Sequence, residues 1–167
     1  MKIQPLCIEG LASLQNAEIE DRMQGILDSW EGTPHMDGQQ ARGKGVDCVR
    51  FVSAVLDELR GTKTPIKHLP SDAAFHQRDL AVAGMRLFIK QFNGRKVPDG
   101  DAFQPGDVII TGPLSGGPGH AIIVGPDGFL WQSAHNKVVK SGLDALTTSV
   151  YKFKASMRAT DRERWVI

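Results

Sequence analysis

The chain reads as an α+β domain, with helical patterns in its first half and strand patterns in its second. Apolar residues recur at three- and four-residue steps near 19–30 and 48–59. Short runs rich in β-branched and aromatic residues follow position 105, and Gly- and Pro-bearing turns separate several of them. Helices first and strands afterwards predict an antiparallel sheet covered by the early helices. At 167 residues and 41% hydrophobic content, the chain is long enough for one domain with a real core and too short for two comfortable ones.

The elements follow in order. Residues 1–17 read as an N-terminal arm leading into a first helix, where Ile19, Met23, Ile26, Leu27 and Trp30 share one face. "EGTPHMDGQQARGKG" is rich in Gly and polar residues and predicts a loop. Cys48, Phe51, Val52, Val55, Leu56 and Leu59 then form one apolar stripe, which stops at Arg60-Gly61. Within 62–103, an inserted segment longer than a minimal catalytic core needs, "SDAAFHQRDLAVAGMRLFIKQF" predicts a further helix capped by Ser71 or Asp72. "GDVIIT", "HAIIVG", "GFLWQSA" and "SVYKFKAS" predict the strands.

Composition narrows the function classes. Lys and Arg number 20 against 19 Asp and Glu, so charge gives no case for nucleic acid or an anionic membrane. Two cysteines, Cys7 and Cys48, are too few for a disulfide-stapled secreted module. The N-terminus lacks the apolar core of a signal peptide, and no apolar run reaches the length of a membrane span. The expectation is a cytoplasmic protein, or one that leaves by a route needing no such signal. No spacing of the Cys-x-x-Cys or His-Glu-x-x-His type occurs, so no metal or other cofactor is expected. "TGPLSGGPGH" lacks the Gly-Lys-Ser/Thr ending of a phosphate loop and suits a cleft rim ahead of His120.

Chemistry gathers at "GKGVDCVRFV". A helix starting at or just after Asp47 puts Cys48 in its first turn, where unpaired N–H groups and the positive end of the dipole favour thiolate over thiol. The same N–H groups can hold an oxyanion on a carbonyl attacked by sulfur. A plain buried thiol fits the same position, since free cysteine is often a core residue. A nucleophile needs a base, and His120 heads an apolar strand directly after the glycine-rich loop. If that strand and the next form a hairpin through Pro126-Asp127-Gly128, Gln132 lies beside His120 and fixes its ring by a hydrogen bond. His135, three positions beyond Gln132, falls on the other face by strand alternation and reads as a surface histidine. His68 and His76 have no spaced acidic or thiol partner.

"WEGTPHMDGQQARGKGVDCVRFVSAVLDEL", "QPGDVII" and "GHAIIVGPDGFLWQSA" together resemble the NlpC-type cell-wall cysteine peptidases, in the order that family uses. The resemblance spans roughly residues 26 to 140 and is nearest to the subgroup associated with phage tails. It implies a papain-like domain, with the cysteine helix packed on an antiparallel sheet. It implies Cys48 as nucleophile, His120 as general base and Gln132 as the polar residue that orients the imidazole. It further implies a peptidoglycan stem peptide as substrate, with phage-tail proteins or an immunity protein as conceivable partners. The family usually has Ser-Gly after Asp-Cys, where this chain has Val49-Arg50. Arg50 is therefore expected to point into solvent, with the lining of a cleft that attracts a substrate carboxylate as the alternative. His35 stands where the family's turn has Tyr, either as a polar group near the cysteine or as a plain loop residue. Asp47 is expected to cap the helix rather than to act as a catalytic acid. Three function classes stay open: a peptidoglycan amidohydrolase, an enzyme of this fold acting on another amide or acyl group in the cytoplasm, and an inactive tail or binding module.

Overall fold

A computed structural model describes residues 8–65, 95–96, 102–111, 120–134, 136–142 and 154–158. Two helices, α1 (Ile8–Trp30) and α2 (Cys48–Arg60), bracket a short hairpin of β1 (Gln40–Ala41) and β2 (Gly45–Val46). The strands β3 (Arg95–Lys96), β4 (Asp107–Thr111), β5 (His120–Val124), β6 (Leu130–Ala134), β7 (Lys137–Ser141) and β8 (Lys154–Arg158) form one sheet. Its order is β3-β8-β4-β5-β6-β7, and every neighbouring pair is antiparallel. The chain is therefore α+β, with β4 to β7 as a meander and β8 returning beside β4.

α2 forms where the apolar stripe predicts it. Its buried residues run from Cys48 to Asp57 and include Leu59, so nearly the whole circumference is covered. Each large apolar side chain buried in this way contributes about 1.5–3 kcal/mol. Gly61 ends the helix at φ 67°, a left-handed conformation that glycine adopts without strain. Asp57 then ties down the exit by accepting from Thr62 Oγ1, Thr64 N and Thr64 Oγ1 at 2.7, 2.7 and 2.9 Å. α1 packs on α2 through Met23, Leu27 and Trp30, with the Trp30 ring edge-on to Phe51 at 6.1 Å between centroids. Trp30 Nε1 also donates to Glu58 Oε1 at 3.0 Å.

The sheet has two differently covered faces. Val108, Ala121, Ile123, Trp131 and Val138 join the α2 core, while Ile109, Ile122, Val124 and Leu130 form a second cluster with Phe103 against it. These sets alternate along β4, β5 and β6, as a pleated sheet requires. The β5–β6 hairpin turns through Pro126-Asp127-Gly128, with Gly128 at φ 78° and the Asp127 carboxylate accepting from Phe129 N at 3.1 Å and Trp131 Nε1 at 3.2 Å.

Several elements differ from expectation. α1 begins at Ile8, so helical backbone extends into the arm expected over 1–17. The loop after Trp30 contains β1, β2 and single bridges joining Pro34 to Lys137 and His35 to Val46. Two-residue strands are too short to leave a period in sequence. β7 was not anticipated, because its lysines interrupt the apolar alternation of "KVVKS". β3 lies inside the 62–103 segment. The helix expected over 71–92 and residues Cys7, His68, His76 and His135 lie outside the described residues.

Candidate active site

Cys48 is the first residue of α2. The chain reaches it through β2, whose Val46 amide donates to Pro34 O at 2.9 Å and whose carbonyl accepts from Met36 N at 3.1 Å. Asp47 is the N-cap, extended at φ −89° and ψ 173°, and its Oδ1 accepts from Arg50 N at 2.8 Å. Its Oδ2 accepts from Gly38 N at 2.9 Å, which fastens the preceding loop to the same carboxylate. Capping is thus the part Asp47 plays in the fold. Burial pushes its carboxyl above the usual 3.8, against the opposing pull of the Arg50 amide and charge and the Gly38 amide.

Arg50 corrects an expectation. It is not solvated: only 6% of it is exposed, and Nη1 folds back on Asp47 Oδ2 at 2.7 Å. A cap carboxylate with no solvent exposure needs a nearby cation, and the residue three positions on supplies it.

His120 and Gln132 come together. His120 Nε2 and Gln132 Oε1 are 2.7 Å apart, and Gln132 Nε2 donates to Ser141 Oγ at 3.0 Å. The amide thus turns its carbonyl to the ring, so His120 Nε2 carries the proton and donates it. Gln132 alternates with Trp131 and Ser133, and with Leu130 and Ser141 it faces away from α2. The bond to Gln132 fixes the His120 ring beside β6, and Cys48 belongs to the buried cluster around α2.

His35 stands on the α2 side. Its backbone bridges Val46, and its Nδ1 is 2.8 Å from Ser133 Oγ. That hydroxyl donates to Val46 O at 2.8 Å, so one serine joins the imidazole to the peptide two residues ahead of Cys48. Sequence reading overlooked Ser133. Its only signal is a hydroxyl at an inward position of an apolar strand, beside the residue that faces the other way.

Cys48 itself has no exposed surface and belongs to the buried cluster that also holds Val46, Val49 and Ala121. A hollow of about 330 Å³ lies along the other half of α2, lined by Trp30, Arg42, Asp57, Glu58 and Lys63, away from the cysteine. Among the described residues, no group of three or more His, Cys, Asp and Glu side chains is arranged to hold a metal ion. No described helix is long and apolar enough to cross a membrane. No protein-family model and no curated protein sequence matches the chain.

Proposed function

We propose that the protein is a cysteine amidohydrolase of papain-like design, with Cys48 as nucleophile and peptidoglycan stem peptides as substrate. One observation carries the reading: Cys48 is the first residue of a helix whose cap, Asp47, is fixed by Arg50 and Gly38, in a domain that also holds two imidazoles oriented by polar partners. A rigid helix start keeps the sulfur beside backbone N–H groups suited to an oxyanion. The substrate class rests on the resemblance of the three motifs to the NlpC-type peptidases, and so does delivery by a tail-like particle.

The chemistry follows from those groups. The thiol proton passes to an imidazole nitrogen, and sulfur attacks the amide carbonyl. The C–N bond breaks as the imidazolium returns its proton to the leaving amine, which leaves a thioester on Cys48. Water, deprotonated by the same imidazole, attacks the thioester and frees the acid with the thiol restored. The resemblance gives the base role to His120 with Gln132 behind it. The 2.7 Å contact between His120 Nε2 and Gln132 Oε1 supports an oriented imidazole in that role.

Digestion of purified peptidoglycan tests the reading. New free amino groups should appear with the wild-type chain and fall by at least roughly 100-fold with Cys48→Ala. Equal release by both chains would show that Cys48 is not the nucleophile. No release by either would remove peptidoglycan as substrate.

A further inference from the structure

We infer that Ser141 is a positioning residue for His120, because its hydroxyl holds the Gln132 amide with the carbonyl end against the imidazole; the inference rests on the reading of Cys48 and an oriented imidazole as nucleophile and base. Three side chains form one line of contacts. His120 Nε2 lies 2.7 Å from Gln132 Oε1, and Gln132 Nε2 donates to Ser141 Oγ at 3.0 Å. The sheet register brings them together. Gln132 on β6 pairs directly with Val139 on β7, and Ser141, two residues further along β7, shares its face. Such a diagonal neighbour is within reach of a side chain as long as glutamine.

A side-chain amide has a donor end and an acceptor end of nearly equal size, and its terminal torsion is two-fold, so packing alone does not choose between them. Hydrogen-bond partners do. With the carbonyl toward His120, Nε2 carries the ring proton and the lone pair of the neutral ring is on Nδ1. With the amide nitrogen toward His120 the tautomer reverses, and a ring protonated on both nitrogens meets a donor. Taking the thiol proton turns the imidazole into that doubly protonated form, so the working orientation has Oε1 at the ring. The amide N–H then needs an acceptor on its far side, and Ser141 Oγ supplies it. The step balances. The thiol proton goes to Nδ1, giving thiolate and imidazolium, and later leaves Nδ1 for the departing amine, while the Nε2 proton stays on its bond to Gln132. Ser141 exchanges no proton and acts through the amide.

The test uses the full chain with nitrogen-15-labelled histidine. Long-range proton–nitrogen spectra report which ring nitrogen of His120 is protonated, and His120→Gln identifies its signals. Iodoacetamide alkylation from pH 5 to 9, mapped by mass at Cys48 with Cys7 as internal comparator, reports the thiolate. Ser141→Thr and Ser141→Val have closely matched shapes and both suit a strand, so they differ in the hydroxyl rather than in folding. We expect the neutral His120 ring of wild type and of Ser141→Thr to hold its proton on Nε2, and that of Ser141→Val to show a mixture of tautomers. Cys48 alkylation at neutral pH should fall about three- to tenfold in Ser141→Val, the worth of one hydrogen bond, with a displaced pH profile and an unchanged Cys7 rate. Ser141→Thr should restore it. The wild-type tautomer in Ser141→Val would overturn the inference, and slowing of Cys48 by His120→Gln would then leave the nucleophile and base reading in place. A Cys48 rate indifferent to His120→Gln would overturn that reading and the inference with it.

Discussion

Asp47 shows how one side chain sets the start of a helix and carries a cost in doing so. It caps α2, binds Gly38 N and pairs with Arg50, all without solvent. Asp47→Ala removes every one of these acceptors, and we expect a loss of about 1–2 kcal/mol in urea unfolding. Burial raises the carboxyl above 3.8, so in the interval above that value the folded chain holds a proton that the unfolded chain has released. The resulting stability is fully present below 3.8 and is lost as pH climbs through the raised value. Wild type should therefore lose stability relative to Asp47→Asn as urea melts move from pH 3 to pH 7, and a wild type that gains stability relative to Asp47→Asn over that range would contradict this. The role of Asp47 was legible, because an acid directly before an apolar stripe is a capping signal. The burial of Arg50 was not, since nothing in the letters "DCVR" says that the cap itself has no water.

At the scale of elements, α2 and the β5–β6 hairpin were readable because each has a strong period and a sharp stop. The hairpin turn also explains a constraint at Gly125. A Cβ there would lie 2.6 Å from Asp127 Oδ1 and 2.7 Å from Trp131 Nε1, and Trp131 is fully buried. Asp127 can swing, but the indole is locked in the core, so Gly125→Ala should cost about 1–3 kcal/mol. Gly61→Ala meets open space and faces only the left-handed backbone, a cost of about 1–2 kcal/mol. Thermal unfolding of both variants checks this, and a Gly125→Ala chain as stable as wild type would show that the turn relaxes freely. The short hairpin β1–β2 and strand β7 escaped sequence reading for a physical reason. Both pair with a strand close by in sequence, but two-residue strands leave no period and the lysines of β7 break its apolar alternation.

Across the whole molecule, what matters is which side of the sheet each polar group occupies. Spacing alone placed Gln132 beside His120, because residues on paired strands of a hairpin are neighbours. Spacing could not show that Ser133 ties His35 to the peptide before Cys48. That link follows from the coverage of the sheet, one face by α2 with α1 behind it and the other around Ile109, Ile122, Val124 and Leu130. In this arrangement Arg50 supports the cap, and Ser133 joins β6 to the peptide that leads into α2.

The central claim, that Cys48 is a nucleophile, is tested most directly by acylation. Incubation with 4-nitrophenyl acetate, quenching in acid and peptide mapping would show where an acyl group becomes attached. The account predicts a rapid acetyl adduct on Cys48 that hydrolyses on standing and is absent from Cys48→Ala. No adduct on Cys48, with label only on Cys7 or on lysines, would contradict it.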